Sequence, residues 1–295
     1  MTDLHSSSPT DDSALTISRV GDFTLGWGES LVWDGVRNRL YFVDCAVNAL
    51  HWLDDGATTP QTLVMPSLAT CVVLTPDGSL VAVLDDGLHR VDPDDRSIDF
   101  LSPYPDAIGG RCNDACADLD GNIITGKLNL GADPGSAWQY STSGSWTLLD
   151  DDISNTNGPA ALTIDGQSTL IVGDTAAHYY AYDYDAAAAT VGPRRVFGDV
   201  TDLAGSPDGS TVDADGALWC ALVLGGSQLA RFTPAGFDRS IALDVTNPTD
   251  VTFGGPALDR LYVTSIGGDG ELDGALLVVD GLDVSGRTEP RAHLT

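Results

Sequence analysis

With 295 residues the chain is long enough for one large β domain or two smaller ones, and a hydrophobic share of 42% excludes global disorder. Its 43 acidic residues against 14 basic ones give a formal net charge of -29, a field that repels nucleic acid and anionic membranes and excludes both as expected partners. Nearly all the acids are Asp and the only lysine is Lys127; such a surface suits a salt-rich cytoplasm and should gain stability as salt screens it.

In chain order, Met1 to Asp12 is polar and acidic, without the basic start and apolar stretch of a secretion signal. Residues 1–13 therefore read as a disordered leader, and residues 14–295 as a single domain. No apolar run approaches the ~18 residues of a membrane helix. A cytoplasmic protein is expected, monomeric or weakly oligomeric, acting on a small-molecule substrate. The five cysteines, Cys45, Cys71, Cys112, Cys116 and Cys220, are odd in number and form neither a disulfide framework nor two zinc-binding pairs. Buried free thiols are the expectation.

From about residue 14 onward, short apolar runs alternate with Gly, Asp and Pro turns, and no stretch keeps a 3.6-residue period over three turns. One unit recurs, a tight polar turn followed by an apolar strand. Arg37-Asn38-Arg39 precedes Leu40 to Val43, Pro76-Asp77-Gly78 precedes Leu80 to Val83, and Leu119-Asp120-Gly121 precedes Ile123-Ile124. Ile164-Asp165-Gly166, Ala214-Asp215-Gly216 and Leu258-Asp259-Arg260 repeat the pattern before Leu170, Leu218 and Leu261. The six turns follow one another at steps of 39 to 50 residues. A hairpin in each unit of that length predicts a six-bladed β-propeller of four-stranded antiparallel blades, an all-β fold. Leu15 to Ser18 should complete the last blade beside Ala275 to Val279, closing the ring and removing a free edge.

Polar residues share one phase of this repeat, seven to ten residues before the turn markers. Glu29, Asn113, Asn157 and Asp208 all stand there, at the expected entry to the innermost strand. Singly, Asn157-Gly158 and Asp208-Gly209 read as plain turns; together, the four side chains should converge on the propeller axis. Two carboxylates and two amide oxygens suit a hard divalent cation such as Ca²⁺, Mg²⁺ or Mn²⁺. No histidine has this phase, so a His-based zinc site is not expected, although Zn²⁺ accepts carboxylate oxygens. Arg111, two residues before Asn113, shares its strand face and would reach the same channel mouth, either to bind substrate oxygens or to pair with one of the many aspartates.

These residues carry a resemblance. Gly28-Glu29-Ser30-Leu31-Val32-Trp33, Arg111-Cys112-Asn113-Asp114, Asn157-Gly158-Pro159, Pro207-Asp208-Gly209 and Phe253-Gly254-Gly255 occur in order over about residues 20 to 280. The pattern resembles the regucalcin, gluconolactonase and xylonolactonase family. The resemblance implies a six-bladed propeller and metal ligands at Glu29, Asn157 and Asp208. It also implies substrate binding by Arg111 and Asn113, and hydrolysis of a sugar lactone. It implies one divalent metal ion, with Ca²⁺ expected first and Mn²⁺, Mg²⁺, Zn²⁺ or Fe²⁺ as alternatives. Asp208 would serve as general base unless the metal itself activates the water. Two departures stand out. Where the family often has Gly-Thr-Met and then an acid, this chain has Gly126-Lys127-Leu128 and no acid before Asp133; Lys127 is therefore either a substrate-binding residue or a surface lysine. The segment after Asn157-Gly158 is one residue longer, which makes Asn155 a rival ligand secondary to Asn157. Other readings of the same site are a phosphotriesterase-like or other esterase, and a non-catalytic calcium-binding propeller.

Overall fold

A computed structural model describes residues 15–127 and 135–294. The expected leader and Asp133 lie outside the described residues. Apart from one 3₁₀ turn at Asp106–Ile108, the regular elements described are all strands, and no described helix is long and apolar enough to cross a membrane.

The chain opens with β1 (Thr16–Arg19) and then builds blades outward from the axis. Blade 1 comprises β2 (Gly28–Asp34), β3 (Arg39–Asp44), β4 (Ala49–Asp54) and β5 (Gln61–Val64). Blade 2 comprises β6 (Ala69–Leu74), β7 (Leu80–Leu84), β8 (Gly87–Asp92) and β9 (Ser97–Pro103). Blade 3 comprises β10 (Cys112–Ala117), β11 (Ile123–Lys127), β12 (Gly135–Tyr140) and β13 (Trp146–Ile153). Blade 4 has β14 (Thr156–Ile164), β15 (Gln167–Asp174) and β16 (His178–Asp185), with an outer edge shared by β17 (Thr190–Val191) and β18 (Arg195–Asp199). Blade 5 comprises β19 (Ser206–Val212), β20 (Leu218–Val223), β21 (Gln228–Thr233) and β22 (Gly236–Ala242). Blade 6 comprises β23 (Pro248–Gly254), β24 (Arg260–Ser265) and β25 (Leu277–Asp280), with β1 as its outermost strand.

Ring closure is as expected: Ile17 pairs with Val279 and Arg19 with Leu277. The turns also behave as expected. Gly216 takes φ 81° between β19 and β20, and in blade 1 Asn38 supplies the positive φ, at 51°. Blade 4 departs from four strands. β16 is eight residues long and pairs β18 along its first half and β17 at its last two residues. Pro193, between the two short strands, has no N–H to continue a single ladder.

Both faces of every blade are covered by neighbouring blades, so the strands are apolar on both sides. The core accordingly divides into six clusters, one in each gap between blades. Phe42 and Leu40 of blade 1 meet Leu276 and Val278 of blade 6, for example, across the closing gap. Each fully buried aliphatic side chain there contributes about 1.5–3 kcal/mol. The five cysteines are free thiols, four of them buried.

The C-terminal segment crosses the end of the channel where the inner strands finish. Ser285 accepts a hydrogen bond from Ala214 N–H (2.8 Å), and Gly286 donates to Leu258 (2.7 Å). The Arg287 guanidinium donates to the Ala161 carbonyl. Arg291 reaches Asp34 and Thr75, and His293 N–H donates to the Gly121 carbonyl at 2.8 Å. One short strap thus touches all six blades.

Candidate functional site

Each of the six inner strands has a register shift at the same height. The shifts fall between Glu29 and Val32, Ala69 and Cys71, Cys112 and Ala115, Asn157 and Ala160, Pro207 and Ser210, and Pro248 and Val251. An extra residue in one strand of a pair re-aims the side chains beside it. Here the bulges stand at the end of the channel opposite the strap, where the sequence repeat put its polar residues. Ser30, just after Glu29, has φ 53°, and Gly158, just after Asn157, has φ 44°. A Cβ on Gly158 would lie 2.5 Å from the Asp208 carbonyl oxygen, so only glycine lets these two inner strands approach.

Glu29 accepts a hydrogen bond from Trp27 Nε1 at 2.9 Å. Asn113 Nδ2 donates to the Thr156 carbonyl at 2.9 Å and to Asn157 Oδ1. Asn157 Nδ2 donates to Thr175 Oγ1 at 2.8 Å and to the Pro207 carbonyl at 3.2 Å. These contacts bring Asn113, Asn157 and Pro207, the β19 residue before Asp208, together across blades 3, 4 and 5. Asn155 stands just before β14, its amide donating to Thr175 Oγ1 at 3.2 Å. It is Asn157 that lies between Asn113 and Pro207.

Two residues that the sequence reading passed over join the group. Asp114 Oδ2 accepts from Gly158 N–H at 2.7 Å, and Asp250 Oδ2 accepts from Leu31 N–H at 2.5 Å. The signal for both was present: Asp114 lies seven residues before Gly121, and Asp250 ten before Arg260.

Burial raises all four carboxyls, but hydrogen bonding separates them into two kinds. Asp114 and Asp250 are each fixed by two backbone N–H groups, through Ala115 and Gly158 and through Val251 and Leu31. Asp208 is 7% exposed, and its carboxylate has no hydrogen-bond partner among the described residues. Burial pushes the Glu29 carboxyl up to about 8, helped by the negative charge of Asp114 and opposed by the Trp27 hydrogen bond. Burial also drives Asp208 well above the usual carboxylate range, with Glu29, Asp114 and Asp250 adding repulsion. No Lys, Arg or His forms an ion pair with any of the four among the described residues. Concentrated negative charge with free oxygens on Glu29 and Asp208 fits a bound cation. No three His, Cys, Asp or Glu side chains form a metal cluster among the described residues; a cation held here would need the amide oxygen of Asn157 beside the two carboxylates. An all-oxygen set of two carboxylates and an amide fits a hard divalent ion.

Above this group opens a pocket lined by Trp27, Glu29, Cys45, Leu68, Arg111 and Asn113. Arg111 lines it and also stands 3.7 Å from Asp85, a loose ion pair. Lys127, the last residue of β11, pairs with Cys112, the neighbour of both Arg111 and Asn113. Its ammonium lies over the Gly109 turn, 3.8 Å from where a Cβ on Gly109 would be, and it has no ion pair among the described residues.

Comparison with known proteins agrees with the propeller fold. The profile of the SMP-30/Gluconolactonase/LRE-like region matches residues 27–267. The pentonolactonase XacC of Haloferax volcanii is 33% identical over 268 residues, covering 87% of each chain. The 6-deoxy-6-sulfogluconolactonase of Pseudomonas putida is 30% identical over 246 residues, covering 81% of this chain and 82% of its own. Among solved structures, a luciferin-regenerating enzyme superimposes with a TM-score of 0.86 at 24% identity, over 95% of this chain and all of its own; that likeness concerns the fold. With six blades, the axial acid and amide residues and a profile match over most of its length, the chain belongs to the SMP-30/gluconolactonase/LRE-like family.

Proposed function

We propose that the protein is a metal-dependent hydrolase that opens a small sugar lactone to its hydroxy acid. Glu29, Asn157 and Asp208 would hold one divalent cation, Ca²⁺ first and Mn²⁺, Mg²⁺, Zn²⁺ or Fe²⁺ as alternatives. The observation that carries this reading is the buried pair Glu29 and Asp208, close enough to repel each other and without a cationic partner among the described residues, with Glu29 lining a pocket beside Arg111 and Asn113. The pentonolactonase and sulfogluconolactonase relatives support a sugar lactone as the substrate class.

When bound, a hard divalent cation supplies positive charge that polarises a carbonyl oxygen and stabilises the oxyanion formed on attack. The chain's own residues do the rest. The Arg111 guanidinium and the Asn113 amide orient ring oxygens of the substrate. Asp208, made more basic by burial, takes a proton from water as the water oxygen bonds to the carbonyl carbon. The ring C–O bond then breaks, and the proton passes from Asp208 to the departing ring oxygen to give the hydroxyl. The new carboxylic acid releases its own proton to solvent.

The test is acid release from a panel of sugar lactones by chelator-stripped protein with each cation added back, after subtracting spontaneous opening. Metal-dependent turnover is expected, and Asp208→Ala should lower it by about 10³-fold or more. Near-normal turnover in that variant would remove Asp208 from the mechanism. Turnover of phosphotriesters or simple esters without any lactone would replace the substrate class.

A further inference from the structure

We propose that Asp114 and Asp250 are positioning residues that hold the inner-strand bulges of the neighbouring blades, and through them the side chains of Asn157 and Glu29. The inference rests on the reading of Glu29, Asn157 and Asp208 as metal ligands and adds what aims two of them. The two supports follow one pattern. Asp114 on blade 3 accepts from Gly158 N–H on blade 4, the residue directly after Asn157, at 2.7 Å. Asp250 on blade 6 accepts from Leu31 N–H on blade 1, two residues after Glu29, at 2.5 Å. Each acceptor reaches one blade forward, and the second of these bonds crosses the seam where the ring closes.

The bulge creates the need for them. A register shift removes an N–H from its ladder partner, and a buried N–H without an acceptor is costly. The strands shift between Asn157 and Ala160 and between Glu29 and Val32, so Gly158 and Leu31 both lie inside the shifts. A carboxylate acceptor makes a bond about twice as strong as a neutral one, and here it fixes a backbone with positive φ at Gly158 and Ser30. The second oxygen of each aspartate accepts from the residue that follows it, Ala115 N–H or Val251 N–H, both at 2.7 Å. Both oxygens are thereby engaged by main chain, unlike those of Glu29 and Asp208, which is why these two acids support the cage and do not belong to it. Thr249, beside Asp250, adds a hydrogen bond to the Gly28 carbonyl, so blade 6 grips the strand carrying Glu29 from both sides of the ligand.

The experiment measures Mn²⁺ dissociation constants by calorimetry on the full chain, with the thermal midpoint in chelator recorded for each variant. Asp114→Ala and Asp250→Ala should weaken Mn²⁺ by about 10–100-fold, the usual cost of losing a support behind a metal ligand, while chelated protein still unfolds cooperatively. The effects should be specific to one partner. Asp250→Ala should change affinity by less than about threefold in a Glu29→Gln background yet keep its full effect in Asn157→Ala, with the mirror result for Asp114. A merely structural role would weaken every background alike. If the alanine variants fail to fold, Asp114→Asn and Asp250→Asn, which keep the volume and one acceptor, should show the same pairing with smaller losses. Unchanged Mn²⁺ affinity in folded variants, or equal effects in all backgrounds, overturns the proposal. Wild-type protein that binds none of Mn²⁺, Ca²⁺, Mg²⁺, Zn²⁺ and Fe²⁺ overturns the ligand reading itself, and the partner-specific pattern without any lactone turnover would leave the positioning role intact and remove only the reaction.

Discussion

Arg291, four residues from the C-terminus, donates through Nη2 to Asp34 at the end of β2, at 2.6 Å, while its Nη1 donates to the Thr75 carbonyl of blade 2 at 2.9 Å. The last residues of the chain are therefore joined to the first blade, and the Asp34 carboxylate at the joint has no exposed side-chain surface. Arg291→Ala should cost about 2 kcal/mol, less than the roughly 3–5 of a fully buried pair, because Arg37 remains beside Asp34. Ending the chain at Ser285 should cost more, since it removes contacts with all of blades 1 to 4. Thermal or denaturant unfolding checks both. Acid should loosen the same joint. Burial alone would push the Asp34 carboxyl up, but hydrogen bonds from Arg291 and Val36 N–H outweigh it and hold it below its ordinary 3.8. A depressed carboxylate stabilises the fold fully above its unfolded value and less as pH falls below it. Protease cleavage after Arg291 should therefore accelerate only below about pH 4, measured by mass spectrometry with an acid-active protease.

The repeat was legible because each hairpin turn leaves a mark that local chemistry dictates, an Asp-Gly or a polar stand-in at positive φ, and because both faces of each blade are apolar. The axial phase was legible for Glu29, Asn113, Asn157 and Asp208 for the same reason. Asp114 and Asp250 share the phase but were hidden among 41 other acids of a chain with net charge -29, where one more aspartate carries little information. Their role depends on which backbone N–H a bulge leaves unpaired in the next blade, a contact between residues 44 and 219 positions apart. The strap was hidden too, because its bonds are mostly to main-chain carbonyls, which leave no mark on residue type.

Metal-free protein should lose stability as pH rises from about 4.5 to about 8. Glu29 has its carboxyl pushed up to about 8 by burial first and by Asp114 second, from an ordinary 4.5. The native state thus holds a proton that the unfolded chain has already released, and raising pH favours the unfolded side. A cation must displace that proton, so Mn²⁺ or Ca²⁺ affinity should strengthen over the same range and level off near pH 8. Thermal midpoints with chelator and calorimetric titrations across this range check both slopes. A flat metal-free midpoint would mean that Glu29 is already ionised in the empty site.

Salt should act in the direction of screening. Forty-three acids on a propeller of this size repel one another, and raising KCl from about 0.2 M to about 2 M shortens the Debye length to a few ångströms. The thermal midpoint should rise over that range, most steeply at its lower end. Ion pairs on the surface, such as Arg39 with Asp54 at 2.7 Å, work the other way but are individually worth less than about 1 kcal/mol.

Lys127 should select for charge on the substrate. It is the only lysine in the chain, and with 43 acids available it has no ion pair among the described residues. It ends β11 opposite Cys112, so it flanks the strand that presents Arg111 and Asn113 to the pocket. A protein of net charge -29 repels anionic substrates at long range, and the Lys127 ammonium would offset that repulsion only for a ligand whose anionic group reaches it. Lys127→Ala should lower kcat/KM for lactones carrying a second acidic group by about tenfold and leave neutral lactones of the same ring size unchanged, with the difference shrinking at high salt. Lys127→Arg should keep the preference, because it keeps the charge. Equal effects on both lactone classes would assign Lys127 to the shape of the blade 3 rim, and no effect on either would make it a solvated surface residue.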